Sequence, residues 1–441
     1  MQGFRSTLAS SKARVKAQVK SALRPLLQAA HSGQPPLEPA LWELEDDARR
    51  GLLLEGVALR DLVTRFGSPL HVVHAARLRD NARRFQAVPP GATRGCEVFY
   101  SYKTNPIEGV LKLLHEQGIG AEVISPYELW LAKQLGVPPE RTIYNGPAKS
   151  DDSIRDAIER RIQVINCNHR EELPRVAQIA RQLGVRARVA LRVNTSGGWS
   201  GQFGTPIQGG QALAAYREAL ALPELSVVGV HAHRGGQVRN EHELSAFLQE
   251  VLGFVEELEQ LLPAPLELLN FGGSLGLRTS EHLDDRARRR NELFHVDLPT
   301  PSVEQALTLE RYLELVVGQV ESHYRTRNQA RPRIFLEPGR AMTGNTQLLL
   351  ATVLTTKSAA DTTCAVLDAG INLAESVKSE YHQLFAVTRH REPRTRVHTL
   401  VGPICSPADT LYPALRLPPL SEGDCLAIMD AGAYFVPFST S

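Results

Sequence analysis

The chain has 441 residues, 42% hydrophobic and 22% charged, which is ample for a buried core and long enough for one large domain plus a second. Fifty Lys and Arg against 48 Asp and Glu leave a formal charge of +2, without the concentrated basic face that bulk nucleic-acid binding needs. No run approaches the ~18 apolar residues of a membrane-spanning helix, and five scattered cysteines (Cys96, Cys167, Cys364, Cys405, Cys425) with no C-x-x-C pair argue against a disulfide framework or zinc site and fit a reducing cytoplasm.

Residues 1–37 stand apart. They carry Arg5, Lys12, Arg14, Lys16, Lys20 and Arg24 without an acid, with Val15, Val19, Leu23 and Leu27 at helical spacing. Such a segment reads as a transit peptide or, preferably, as a basic helix lying on the domain or a partner. The Pro35-Pro36 stretch ends it. Residues 38–67 are expected to join a β-rich domain. From 68 to 342, short β-branched runs at 70–73, 96–100, 121–124, 163–166, 188–193, 227–231, 266–271 and 333–337 alternate with helical spacing at 107–117, 127–135, 151–159, 171–183 and 242–261. About eight strand-then-helix repeats predict a (β/α)8 barrel, with a doubly wound open sheet as the alternative. Residues 343–441 change character. Runs at 346–355, 364–367, 396–401 and 424–429, separated by Pro/Gly turns, predict a β domain.

In a barrel, chemistry gathers at the C-terminal ends of the strands. Ser-Tyr-Lys103-Thr-Asn-Pro follows one such strand, and a lysine there is either snorkelling or covalently engaged. His231-Ala-His233-Arg-Gly-Gly236-Gln follows a Val-rich strand; its two histidines share a face, but no third metal ligand is evident. Asn270-Phe-Gly272-Gly273-Ser lets backbone amides approach a phosphate. Leu-Glu337-Pro-Gly339-Arg340 sets an acid and then a guanidinium at a strand end. Farther on, Gly-Pro-Ile-Cys405-Ser406-Pro-Ala-Asp409 holds a cysteine in a constrained turn, and Asp430-Ala-Gly-Ala-Tyr434 supplies an aromatic hydroxyl. Singly, each has a bland reading: snorkelling, an ordinary glycine turn, an ion pair, an inert thiol, a packing tyrosine.

Taken in order over about residues 55–440, the motifs resemble the fold-type-III pyridoxal-phosphate decarboxylases, which include the diaminopimelate, ornithine and arginine decarboxylases. The resemblance implies an alanine-racemase-like (β/α)8 barrel with a β-barrel-like domain, and a head-to-tail homodimer with shared active sites. It implies that Lys103 is the Schiff-base lysine and that His233 stacks on the pyridine ring. Gly273, Gly339 and Arg340 would bind the phosphate, with Gly272 also in the cofactor site, and Glu337 would pair with the pyridine nitrogen. The partner's Cys405 would return the proton to the alpha carbon. Asp409 and Tyr434 match substrate- and phosphate-contacting positions, and Glu122 and Arg192 match further members of the cofactor shell.

The departures concern the substrate. Ser406 stands where well-known members carry an acid, Gly236 replaces a serine, and the distal-amine aspartate of the ornithine enzymes falls near Tyr381-His382. Missing acids argue against a free distal ammonium. The expectation is therefore a specialised decarboxylase of an amino acid or amino-acid conjugate, such as those linked to siderophore assembly or a carrier protein. An Arg-rich stretch, 277–301, reads as a solvated mobile loop or as a surface for an acidic partner. The rival functions are an amino-acid racemase on the same barrel and a non-catalytic homologue. The Cys405 motif favours decarboxylation over racemisation, and retention of Lys103 with Cys405 argues for an enzyme.

Overall fold

A computed structural model describes residues 22–24, 26, 27, 35–199, 201–359 and 362–440, so most of the basic extension lies outside the described residues. In chain order the strands are β1 (Leu44–Asp47), β2 (Gly51–Leu54), β3 (Val57–Ala58), β4 (Leu70–Val73), β5 (Glu97–Ser101), β6 (Gly120–Val123), β7 (Thr142–Tyr144), β8 (Val164–Cys167), β9 (Ala187–Asn194) and β10 (Thr205–Pro206). There follow β11 (Leu225–Ala232), β12 (Leu268–Asn270), β13 (Arg333–Leu336), β14 (Gln347–Ala359), β15 (Thr362–Leu367), β16 (Leu384–Ala386), β17 (Arg396–Val401), β18 (Thr410–Leu417) and β19 (Cys425–Ile428).

Strands β5–β9 and β11–β13 pair in parallel, and β13 pairs back to β5, closing the expected barrel. Alternation within β5 shows why the ring closes. Phe99 points inward and joins Ile143, Val164, Val228, Leu268 and Phe335 in an apolar plug, while Val98 and Tyr100 pack outward with helix residues such as Leu111 and Leu114. Filling the ring with Phe99 requires a glycine opposite it: a Cβ on Gly120 would lie 2.5 Å from the Phe99 ring. The helices start cleanly because Ser125, Ser150, Asn240 and Thr308 each accept a first-turn backbone N–H.

The run at 70–73, expected in the barrel, is corrected by the structure. As β4 it pairs antiparallel with β14 of the second sheet, Leu70 opposite Leu350 and Val73 opposite Gln347. The barrel strand missing from the expectation is β7, only three residues long. A four-residue apolar run carries no signal of which sheet it joins, and Thr-Ile-Tyr is too short to stand out. Strands β16 and β18 were likewise not expected. The second sheet runs β16-β19-β14-β15-β17-β18, and Trp42, Leu52 and Leu59 from the N-terminal segment pack on its face with Leu348, Phe385 and Ala427.

Within 277–301 the chain forms a helix, Asp285–Phe294, capped by Asp284. Asn291 Nδ2 donates to Val296 O (2.9 Å) and to Ala414 O of β18 (2.7 Å), which docks the helix on the β domain. Buried amide bonds of this kind argue against the mobile loop that the sequence suggested.

Candidate active site

The ends of the barrel strands bring the sequence motifs together. Lys103 sits in the 3-10 turn Tyr102–Thr104 directly after β5. Glu122 lies in β6, Arg192 in β9, His231 in β11, and Glu337 one residue past β13. Glu122 and Glu337 are buried.

Glu337 is the best-supported group. Its Oε1 accepts from Asn145 Nδ2 (2.9 Å) and Asn270 Nδ2 (2.6 Å), and His231 Nε2 lies 3.5 Å from Oε2. Asn166 donates in turn to Asn145 Oδ1 at 2.6 Å, so one amide chain crosses the rim. Burial by itself would raise the Glu337 carboxyl, but His231 and Asn145 outweigh it and hold the pKa well below the ordinary range. Burial keeps His231 itself below its usual value, so the amide donors are the durable part of that support. Asn145 and Asn166 were missed from sequence. Asn145 follows the unrecognised β7, and with that strand its place at the rim was hidden.

Glu122 behaves oppositely. Burial raises its carboxyl, Lys103 opposes the rise and Glu337 adds to it. Ser101 and Asn145 are its polar neighbours, yet neither of its oxygens is in a well-formed hydrogen bond. For Lys103, burial works against the ammonium, but Glu122, Tyr434 and Glu337 outweigh it and hold the pKa above that of an ordinary lysine, with Arg192 opposing.

His233 is held flat and neutral. Its Nδ1 accepts from Gly235 N (3.0 Å), a role that needs the bare nitrogen, and burial followed by the Lys103 and Arg192 charges pushes its pKa well down. A Cβ on Gly272 would lie 2.5 Å from the ring, so the first glycine of the pair is there to admit the imidazole. Gly273 and Gly339 are equally closed to side chains, against Glu337 O (2.5 Å) and Thr104 Oγ1 respectively.

Buried polar atoms without hydrogen-bond partners collect at this rim: both Glu122 oxygens, Arg192 Nε, both His231 nitrogens, Ser101 Oγ and Thr104 Oγ1. Native interiors leave few such groups. A lysine amine, paired carboxylates, a neutral imidazole and glycines stripped of Cβ space fit a polar aromatic aldehyde bearing a phosphate.

Arg340 has a protein partner that the sequence did not suggest: Nη1 and Nη2 donate to Glu380 Oε2 (2.6 Å) and Oε1 (2.7 Å), with Nε outside that fork, and the group stacks 4.9 Å from the centre of the Tyr434 ring. Glu380, one residue before Tyr381, is an acid that the sequence reading did not find there.

The remaining expected residues lie elsewhere. Cys405 and Ser406 are exposed on the turn between β17 and β18, with Ser406 Oγ accepting from Ala408 N at 3.2 Å. Asp409, expected to contact substrate, is buried with both oxygens committed to backbone: Oδ1 to Ile371 N and Oδ2 to Ile404 N, each 2.8 Å. It clamps the Cys405 turn. The Tyr381 hydroxyl donates to Gln383 Oε1 (2.7 Å) and the ring packs against the Trp42 layer, which removes it from the substrate role. His382 Nδ1 bonds Met429 O (2.9 Å), and its Nε2 lies 3.7 Å from Glu380.

Comparison with known proteins agrees with this arrangement. The family profile described as pyridoxal-dependent decarboxylase, pyridoxal binding domain, matches residues 76–344. The chain belongs to that family: it is a pyridoxal-phosphate-dependent carboxy-lyase of amino-acid metabolism. Diaminopimelate decarboxylase of Aquifex aeolicus is 31% identical over 396 residues, 87% of this chain and 86% of that one. The Pseudomonas aeruginosa enzyme of that name is 29% identical over 397 residues, 87% of each. The crystal structure of diaminopimelate decarboxylase from M. jannaschii superposes with a TM-score of 0.76 at 26% identity, covering 90% of this chain and 89% of that one.

Proposed function

We propose that this decarboxylase acts on an amino acid conjugated or tethered at its distal end, with Lys103 holding pyridoxal phosphate covalently and the partner's Cys405 returning a proton to the alpha carbon. The observation that carries the reading is the half-buried Lys103 at the barrel rim, its ammonium favoured by the buried carboxylates Glu122 and Glu337. Bound pyridoxal phosphate supplies a ring that takes up the electrons left when carbon dioxide departs. Glu337, kept anionic by amide donors, is the group to hold a proton on the ring nitrogen. His233, neutral and fixed against Gly272, offers a flat face without a competing charge. Backbone amides at Gly273 and Gly339 would meet the phosphate, since the Gly272 N–H already donates to Asn270 Oδ1 at 2.9 Å. Cys405, a thiol on an exposed turn, is suited to act as general acid on a site other than its own chain's, so the working unit is a homodimer. Five free thiols, one of them exposed, favour a reducing cytoplasm.

The conjugate reading rests on Ser406 standing in place of an acid and on Glu380 being already paired. Siderophore assembly and carrier-bound amino acids supply such substrates. A second reading, diaminopimelate itself, is favoured by the relatives' names and by the M. jannaschii enzyme having been crystallised with L-lysine. Carbon dioxide release from a panel of free and conjugated amino acids decides between them. Conjugates should exceed free ornithine, lysine and diaminopimelate by about tenfold or more in kcat/KM; efficient turnover of diaminopimelate selects the second reading.

A further inference from the structure

Asparagines from three barrel strands gather around one carboxylate. Asn145 follows β7, Asn166 lies within β8 and Asn270 ends β12; they are 5%, 1% and 1% exposed. Asn145 and Asn270 both donate to Glu337 Oε1, at 2.9 and 2.6 Å. Among the described residues, the other oxygen, Oε2, has His231 Nε2 at 3.5 Å and no closer polar partner. The two donors are aimed in the same way. An amide keeps its N–H side on an acid when its carbonyl side is taken by another donor. Asn270 Oδ1 accepts from Gly272 N (2.9 Å), and a backbone N–H can only donate. Asn145 Oδ1 accepts from Asn166 Nδ2 (2.6 Å), so Asn166 bears on Glu337 through Asn145. The backbone under Asn145 is fixed as well. Its N–H donates to Val123 O of β6 (2.7 Å), and Gly146 follows so closely against β6 that a Cβ there would run into the Ile124 carbonyl. The buried Lys149 ammonium donates to Gly146 O at 2.8 Å and is itself paired with Glu172.

We infer that Asn145 and Asn166 are positioning residues for the decarboxylation: Asn166 aims the Asn145 amide, Asn145 anchors Glu337 by Oε1, and the unanchored Oε2 is the oxygen that holds the proton on the ring nitrogen. The inference rests on the reading of Glu337 given above and adds which residues act through it. A carboxylate free to rotate presents its oxygens in many directions, whereas one gripped at Oε1 by two amides presents Oε2 in one. Without Asn166 the Asn145 carbonyl is buried without a donor, and turning it to find another takes the N–H side off Glu337.

The test is a double-mutant cycle on the cofactor-loaded enzyme, because a group that acts through Glu337 loses its effect once Glu337 is changed. Asn145→Ala and Asn166→Ala are made alone and together with Glu337→Gln, and kcat, KM and the visible spectrum of the bound cofactor are measured for each. The spectrum needs no turnover and reports on the ring itself, since a proton on the ring nitrogen alters the absorbing system. Alone, Asn145→Ala should lower kcat about tenfold and Asn166→Ala about threefold, in the range of a lost hydrogen bond to a charged group and of its support, with KM changed less than about twofold. Both should move the spectrum part of the way towards that of Glu337→Gln. Combined with Glu337→Gln, neither should lower kcat further by more than about twofold or move the spectrum. If an alanine variant does not fold, serine at the same position repeats the comparison, being polar but too short to replace the amide. Equal losses with and without Glu337→Gln overturn the inference and make the asparagines packing residues. Native kcat and spectrum in both variants, with Glu337→Gln impaired, overturn it too: Asn270 then holds Glu337 without them, and the reading of Glu337 stands. An effect on KM alone overturns it by assigning the asparagines to substrate contact. An unaltered kcat and spectrum in Glu337→Gln itself remove the reading of Glu337 and this inference with it.

Discussion

The barrel rim around Lys103 and the turn around Cys405 carry their chemistry on opposite terms. At the rim the reactive groups are buried (Glu122, Glu337) or half-buried (Lys103, His233), their charges balanced within the chain, with Glu337 steadied by two asparagine amides and His233 by a backbone N–H. At the turn the reactive thiol is exposed and the buried charge belongs to the support: Asp409 gives both oxygens to the backbone N–H groups of Ile371 and Ile404. A buried cluster can bind and polarise a ligand unaided. A thiol on a convex turn acts only on what approaches it. The contrast is what motivates a shared site, and four substitutions probe it.

The largest effect belongs to the rim. Lys103→Ala should abolish both the visible absorbance of lysine-bound cofactor and carbon dioxide release while leaving the circular-dichroism spectrum unchanged, since the barrel does not depend on the ammonium; retained turnover would remove Lys103 from the chemistry. Next comes Glu337→Gln, which loses the negative charge opposite the ring nitrogen. A fall in kcat on the order of a hundredfold with little change in KM is expected, in the range of a lost proton-holding group, and an effect confined to KM would place Glu337 outside the chemical step. The comparison itself is tested by mixing inactive Lys103→Ala and Cys405→Ala proteins. Random exchange between symmetric dimers should restore about a quarter of the native sites, whereas no recovery after demonstrated exchange would put both residues in one chain's site. The smallest effect is expected at the clamp. Asp409→Ala orphans two backbone N–H groups and should cost about 2–4 kcal/mol in denaturant unfolding while leaving cofactor absorbance intact. Loss of the absorbance together with the stability would tie the turn to the rim more closely than their separate burial implies.

Legibility followed the same division. Lys103, His233 and Glu337 were readable because each closes or follows an apolar strand, where a polar residue needs a reason, and because the motifs recur in a specific order. Asn145 was hidden behind β7, whose three residues give no periodic signal. Glu380 could not be paired with Arg340 from sequence, since 40 residues separate them and Glu380 sits in an irregular stretch between elements. Asp409 was misassigned for a different reason. A carboxylate that clamps a turn and one that greets a substrate are the same residue type, and only the direction from which N–H groups approach tells them apart.

What the amino-acid sequence determined by itself was the alternation of strands and helices that closes a parallel barrel, and the polar residues stationed at the strand ends, because both are local patterns of one chain segment at a time. The tertiary structure alone decided that residues 70–73 belong to the second sheet, that Asp409 serves the backbone, and that Glu380 holds Arg340. Each of those outcomes depends on which distant group satisfies a buried hydrogen-bonding or charged atom, and that partner is chosen only when the chain has folded.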